Sequence, residues 1–397
     1  MSEGHATKLS RRAFIRNSAV AGATVIGATI TTSKVFAKVR QSTPPWQHRF
    51  ASYVDEETGV TVYNLTPGNH DDDVVYQTHP MWTQDMRYFM YYSRRPGQER
   101  RPNLLDMHTG EARAIEAPGY QRGTMTWHDN NLYYMANNDV FVVDVPKAYH
   151  GDTKPHCIAH IPEEFQRYSG DITVDADGSA LYFGAQLDED GKKYAVLSVD
   201  LASGDTRIVI QTDFQVGHFQ ANPSHPRKLM FCWETGGDAP QRTWFVNTDG
   251  NTLKPLYKEN YDEWVTHEVW WGPDNIIFTI WPYNDTMRAM PHGIAEASLE
   301  TGPNGEMDII AQYPAWHTHG SHDRRWALGD DFDRNIWLIN ITSGERKLLT
   351  QGHTSGDYRT HPHGSFTPDS RGLVFTSSKN GVEDVFYVPL PDWETLT

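Results

Sequence analysis

Cysteine is scarce: Cys157 and Cys232 are the only two in 397 residues, far apart and without a CxxC or other ligand spacing. A thiolate zinc site is excluded, no essential disulfide is expected, and both read as small buried hydrophobes. Positive charge is scarce too. The chain sets 35 Lys and Arg against 51 Asp and Glu, a formal net charge of −16. This excludes a nucleic-acid partner, because phosphate binding draws its affinity from clustered Lys and Arg and the counterions they release. An anionic ligand would have to be drawn in locally, by a metal ion or a few placed arginines inside a cleft. Long apolar runs are missing beyond the first forty residues, so no later segment is expected to span a bilayer. The Ala, Leu, Glu and Lys enrichment of helical proteins is missing as well. What the chain has instead is 13 Trp, 19 Tyr, 16 Phe, 31 Gly and 23 Pro, the composition of β-strands broken by many turns.

The first forty residues read as a targeting segment, apart from the fold. Ser10-Arg11-Arg12-Ala13-Phe14-Ile15-Arg16 pairs two arginines with Phe-Ile, a modest apolar run follows from Ala19 to Ile30, and Val35-Phe36-Ala37 offers a small-residue cleavage site. This resembles a twin-arginine signal, a receptor-read address for exporting folded protein through the Tat translocase. An ordinary membrane anchor fits less well, because the apolar stretch is short and interrupted by Thr and Gly. Residues 1–37 are thus expected to be a signal peptide and 38–397 a single domain, soluble and periplasmic or secreted.

A unit consisting of a small or aromatic residue, a turn with Asp, Pro or Gly, and then a hydrophobic strand recurs along the whole chain. It reads MWTQDMRYFMYYS from Met81, TWHDNNLYYM from Thr126, TVDADGSALYFGA from Thr173 and ANPSHPRKLMFCW from Ala221. It returns as VWWGPDNIIFTIW from Val269, SHDRRWALGDD from Ser321 and SFTPDSRGLVFTSS from Ser365. Roughly seven copies at a spacing of roughly 44 to 50 residues match the period of a four-stranded propeller blade. NLLDMHTGEAR, YAVLSVDLASGDTRIV, RTWFVNTDGNTLKPLY and NIWLINITSGERKLL each supply a further strand, a Gly-bearing turn and another strand. Gly59 to Thr66 reads as a strand without its own blade, and the last repeat ends early at Tyr387-Val388. The predicted fold is therefore all-β, a seven-bladed β-propeller closed by an N-terminal strand, which removes the exposed edge of an open sheet. A two-sheet sandwich would not keep this spacing throughout.

In a propeller the innermost strand of each blade runs along the axis, so residues just ahead of each repeat meet at one mouth of the channel. Histidines concentrate there: His79 before the first repeat, His218 the fourth, His267 the fifth, His317 and His319 the sixth, His361 and His363 the seventh. In His361-Pro362-His363 alternate residues of a strand point to one face, where two imidazoles can bind one cation. Imidazoles without thiolates suit a borderline divalent ion with open positions. Arg242 follows a Gly-Gly-Asp-Ala-Pro loop longer than a hairpin needs; it reads as a planar fork for a carboxylate or as a packing arginine. His267, outside the His-x-His pair, is free to act as a base or is one more ligand.

These residues resemble the oligogalacturonate lyases, seven-bladed, manganese-dependent enzymes of pectin breakdown. The similarity is strongest at Thr58-Gly59 to Thr66-Pro67, Gly217-His218 to Asp249-Gly250, Thr266-His267-Glu268, and Thr360-His361-Pro362-His363 to Phe375-Thr376-Ser377, with HPHGSFTPDSRGLVFTSS the most specific match. The resemblance implies that His267 is the Brønsted base, that Arg242 assists at the substrate carboxylate, and that His317, His361 and His363 hold the metal. His79 and His218, with Arg242, are the substrate-binding candidates. One departure stands out: the family has a glutamine three residues before His-Pro-His, where this chain has Tyr358. The fourth protein ligand is left open between Tyr358, Asp357, water and His319. His319 is also an alternative to His317 in the sixth repeat.

The chemistry this set suits is β-elimination across C4 and C5 of a uronic acid in a short oligosaccharide. A divalent cation and Arg242 would neutralise the carboxylate, and His267 would remove the C5 proton. Neither water nor a pair of hydrolytic carboxylates is needed. The alternative from another class is a non-catalytic exported propeller that binds acidic carbohydrate. A hydrolase or peptidase is unsupported, since no nucleophile elbow is present.

Overall fold

A computed structural model of the chain describes residues 39–235, 239–250, 252–260, 263–282, 292–300, 307–355 and 360–396. The segment expected to be a signal peptide lies outside them, as do Asp357, Tyr358 and Gly236, Gly237 and Asp238 of the loop before Arg242.

Seven antiparallel sheets make up the described chain, in the order a propeller requires. Blade 1 runs through Asp71–Val74, Tyr88–Arg94, Arg101–Asp106 and Ala112–Ala114, and blade 2 through Tyr120–His128, Asn131–Ala136, Asp139–Asp144 and His156–His160. Blade 3 takes Tyr168–Val174, Ala180–Gln186, Tyr194–Asp200 and Thr206–Thr212; blade 4 takes Val216–Ala221, Lys228–Trp233, Thr243–Asn247 and Thr252–Pro255. Blade 5 is Glu263–Trp270, Asn275–Pro282, Gly293–Ser298 and Met307–Ala311, and blade 6 is Ala315–Gly320, Trp326–Asp331, Ile336–Asn340 and Arg346–Thr350. Blade 7 combines Ser365–Phe366, Gly372–Ser377 and Asp384–Pro389 with two strands from the start of the fold, Thr61–Asn64 and Ala51–Val54. Tyr63 stands opposite Tyr387 and Asn64 opposite Phe386. The seven-bladed β-propeller read from the repeat spacing is the fold found.

Blades pack face to face, so the middle strands are covered on both sides and read as continuous apolar runs instead of alternating ones. Tyr194 to Val199 are all buried, as are Gly372 to Ser377. The buried faces carry aromatic pairs: Phe214 stacks on Trp233 at 4.8 Å, and Phe375 on its cross-strand partner Phe386 at 5.8 Å. Each such side chain contributes about 1.5–3 kcal/mol by leaving water. The Gly-bearing turns join the third and fourth strands. Gly204 donates its N–H to the Asp200 carbonyl (2.8 Å) while the Asp200 side chain accepts from Ala202 and Ser203, and Gly344 and Asn340 repeat the device. Gly204 has φ +81°, a conformation that costs glycine little.

Among the described residues the one α-helix is Val145–His150, and no helix is long and apolar enough to cross a membrane. One expectation is corrected. Cys232 is buried but Cys157 is exposed, because it lies on the outermost strand of blade 2, which has no neighbour on its far side.

Candidate functional site

The innermost strands of blades 2 to 6 all change register at one level. The shifts fall between Tyr120 and Met125, Ser169 and Ile172, Gly217 and Gln220, Thr266 and Val269, and Ala315 and Thr318. A bulge leaves residues unpaired and re-aims their side chains. His218, His267 and His317 sit in these bulges, and His361 and His363 precede the short inner strand of blade 7. His218, His267 and His363 have φ of 50°, 58° and 48°. Left-handed backbone costs a side-chain-bearing residue about 1–2 kcal/mol, so the packing around each bulge must hold it there.

The result is a cluster of tilted and edge-on aromatic rings from several blades. Ring centroids are 4.2 Å apart for His267 and His317, 4.0 Å for His317 and His363, and 5.3 Å for His317 and His361. Tyr76 of blade 1 completes the group, 5.5 Å from His363, 5.8 Å from His218 and 6.4 Å from His317.

Hydrogen bonds decide which ring nitrogen each histidine offers. His317 Nδ1 lies 2.9 Å from Asp330 Oδ2 and 3.1 Å from Oδ1, and a carboxylate can only accept, so Nδ1 carries the proton and Nε2 the lone pair. His363 Nδ1 donates to the His361 carbonyl at 2.8 Å, with the same consequence. His267 Nδ1 is 3.2 Å from Thr279 Oγ1, and the single hydroxyl proton of Thr279 is directed at the carbonyl of Thr266 (3.0 Å) or Trp316 (3.1 Å). The Thr279 oxygen therefore accepts from Nδ1–H and leaves His267 Nε2 basic. His361 Nδ1 is buried without a hydrogen-bond partner, 3.7 Å from Asp330 Oδ2.

Electrostatics favour neutral rings at His267 and His363 beside an ionised carboxylate. Burial, reinforced by His317, pulls His267 well below its ordinary range and His363 down to about 3. Burial would raise Asp330, but His317 and His361 outweigh it and hold the carboxyl well below its usual value. A divalent ion fits this donor set. His317, Asp330 and His361 bring one possible ligand atom each within 4.8 Å of one another, and the His361 nitrogen has no hydrogen-bond partner; His363 packs against His317 but lies outside this group.

Beside this group Arg242 is buried and binds Glu268 through Nε (3.1 Å to Oε2) and Nη2 (3.3 Å to Oε1), while Cys232 Sγ donates to the same carboxylate. Burial would raise Glu268, but Arg242 outweighs it and keeps the acid ionised. One edge of the Arg242 fork thus belongs to Glu268. His218 Nε2 pairs with Glu234 at 3.2 Å; burial opposes its charge, but that bond prevails and raises it. His79 is fixed at both nitrogens, by Thr78 Oγ1 (2.8 Å) and the Ile172 carbonyl (3.2 Å). A cleft of about 860 Å³ opens here, lined among others by Tyr76, His79, Gly123, Asp171, His218 and His363.

The structure therefore gathers His267, His317, His361 and His363, with His218 and His79 along the cleft and Arg242 behind Glu268. His319 stays apart, its Nδ1 accepting from the Phe366 N–H (3.4 Å). His317 and His319 would share a face of a regular strand, but the bulge between Ala315 and Thr318 breaks the alternation. His361 and His363 do not meet as alternate strand residues either, since both lie ahead of the strand and the left-handed backbone at His363 brings its ring in. Sequence reasoning missed Asp330, Thr279, Glu268 and Tyr76. Thr279 and Asp330 lie on the second strands of the blades that carry His267 and His317. Tyr76 was legible from the repeat phase alone, roughly 46 to 50 residues separating equivalent positions.

Fold and site together define a seven-bladed propeller with a histidine-lined axial centre. No family model matches the chain. An oligogalacturonide lyase of Pectobacterium atrosepticum is 24% identical over 389 residues, covering 86% of this chain and 96% of that protein. The crystal structure of an oligogalacturonate lyase from Vibrio parahaemolyticus superposes with a TM-score of 0.74 at 23% identity, covering 86% of this chain and 97% of the other. An oligogalacturonate lyase in complex with manganese gives 0.75 at 23% identity, covering 86% and 96%. The chain is a relative of the oligogalacturonate lyases.

Proposed function

We propose that this protein is an oligogalacturonate lyase that cleaves short uronic-acid oligosaccharides by metal-assisted β-elimination. The observation that carries this is the meeting of four imidazoles from blades 5, 6 and 7 beside a cleft that His363 lines, with Nε2 left as the lone-pair nitrogen on His267, His317 and His363. The likeness to lyases over nearly their whole length supports it.

His317, His361 and His363 would hold a divalent ion, manganese being the one bound by a structural relative. Such an ion supplies positive charge that neutralises the uronate carboxylate and acidifies the adjacent C5–H. Arg242 assists at the same carboxylate through its charge, and Glu268 keeps that guanidinium in place. His267 Nε2, held basic by Thr279, takes the C5 proton. The C4–O bond breaks as the C4=C5 double bond forms, so the product is an unsaturated uronate. His218 and His79 line the path of the sugar. With a net charge of −16 the protein repels a polyanion at long range, so capture depends on these local positive groups.

The test is incubation with di- and trigalacturonate, following the ultraviolet absorbance of the conjugated product with and without chelator. Absence of that chromophore in the metal-loaded protein would falsify the reading. Export through the twin-arginine route is part of the same proposal, resting on residues 10–37. Replacing Arg11 and Arg12 by Lys should leave the protein in the cytoplasmic fraction.

A further inference from the structure

We infer that Arg100 binds the carboxylate of the second uronate, the sugar across the scissile bond from the one that loses its C5 proton; this rests on the lyase reading above.

The cleft extends well beyond the histidines. Its lining takes in His218 and His363 near the axis and, on blade 1, first Asp73 to Tyr76 of the inner segment and then Tyr92 and Arg94 of the second strand and Arg100 ahead of the third. It therefore runs outward from the axis over blade 1. Cavities of roughly 300–1,000 Å³ enclose drug-sized ligands, so about 860 Å³ leaves room for more than one sugar ring. On the blade 2 side a Cβ added at Gly123 would meet nothing within 4 Å, so no wall closes the cleft there.

Arg100 reaches across the seam between blades 1 and 7. Its Nη1 lies 2.8 Å from Asp73 Oδ2, and its Nη2 lies 3.7 Å from Glu383 Oε2, too long for a hydrogen bond. Glu383 is fixed from the other side, where its Oε1 accepts from the Thr360 hydroxyl, and Thr360 precedes His361. Arg100 is thus two side-chain contacts from the segment proposed to hold the metal. The route along blade 1 gives the same scale. Tyr76, whose ring centroid is 5.5 Å from that of His363, stands three residues from Asp73, at most roughly 11 Å between Cα atoms. That separation suits a neighbouring sugar and not the one being cleaved.

A guanidinium at this place calls for an anion. Its planar fork matches a carboxylate, and a uronic-acid oligomer carries one carboxylate on every ring. Arg94 lines the cleft too, but its side chain is 52% exposed and bound to Asp71 at 2.6 Å; Arg100 is 28% exposed. Water weakens exposed pairs, so Arg100 is the stronger anchor. The carboxylates in the lining are committed elsewhere. Asp73 pairs with Arg100, Asp171 accepts from the Phe219 N–H (2.8 Å) and faces His79 at 3.5 Å, and Glu99 is exposed, where solvent screens it.

The experiment compares Mn(II)-loaded wild type with Arg100→Gln, which still offers an N–H to Asp73, on two dimers. One is digalacturonate. The other has galactose in place of the galacturonate on the leaving side, so the reacting uronate is unchanged. Formation of the unsaturated product is followed for both. Wild type should prefer digalacturonate by about 10–100-fold in kcat/KM, mostly through KM, the range for one charge-assisted pair. In Arg100→Gln that preference should shrink to about threefold or less, because only digalacturonate has the contact to lose. Arg100→Lys, which keeps the charge but not the fork, should fall between the two. A wild type that cleaves both dimers equally well overturns the assignment whatever the variants do. So does an Arg100→Gln protein that keeps the wild-type preference, however impaired it is. A wild type that forms the unsaturated product from neither dimer overturns the lyase reading instead.

Discussion

Asp330 stands between His317 and His361: its Oδ2 accepts from His317 Nδ1 at 2.9 Å and lies 3.7 Å from His361 Nδ1. One buried carboxylate thus faces two of the three histidines proposed to bind the metal, fixing the tautomer of His317 and offsetting cationic charge. Carboxylates behind metal-bound histidines typically contribute 10–100-fold to affinity. Asp330→Asn, which keeps size and still accepts the His317 backbone N–H, should therefore weaken Mn(II) binding by about that factor in calorimetry. Affinity within twofold of wild type would show that Asp330 only fills space.

Thr279 does for His267 what Asp330 does for His317. Thr279→Val removes the hydroxyl that takes the Nδ1 proton and lets the ring adopt the tautomer with the proton on Nε2. About a tenfold fall in kcat with KM and Mn(II) affinity retained is expected, and Thr279→Ser should restore it. A valine variant as active as wild type would remove the tautomer argument.

His317 and His319 can be separated by substitution. His317→Ala removes a ring in contact with three other imidazoles and should abolish both Mn(II) binding and elimination. His319, held against blade 7 by Phe366, should tolerate Ala with activity within about threefold. The reverse pattern would move the metal centre to the other face of this strand.

The seam between blades 1 and 7 should make stability depend on pH. Asp72 is buried, and that burial pushes its carboxyl up to about 6 against the opposing pull of Ser93, His70 (3.4 Å away) and Thr66, with Asp384 sharing the site. The unfolded chain releases this proton near its ordinary value of 3.8, whereas the folded chain keeps it to about 6. The folded state therefore binds more protons in that window, and stability falls as pH rises through it. Asp72→Asn should flatten the dependence and raise stability at pH 7 by about 1–3 kcal/mol in urea unfolding. Stability rising between pH 4 and 6 in the wild type would contradict the burial argument.

How much of this the sequence carries differs between fold and site. The blades were legible because the period of the repeat and the Gly-bearing turns are local properties: a strand covered on both faces must be apolar, and a tight turn needs Asp or Asn followed by Gly. The histidines were legible as a group because their phase in the repeat places them at one end of the axis. Their chemistry was not. The choice between His317 and His319 was open until the bulge placed them apart, and strand alternation supplied the wrong reason for His361 and His363.

The residue types and spacing alone determined that seven meanders would surround an axis and that imidazoles, not thiolates, would collect at one mouth. Only the tertiary structure decided which nitrogen each ring offers, that Arg242 is tied to Glu268, and that Asp330 and Thr279 stand behind the histidines. Hydrogen-bond partners on neighbouring strands choose a tautomer, and a bulge of one or two residues chooses the direction of a side chain. Neither leaves a periodic mark in the chain, because each depends on which strand lies alongside.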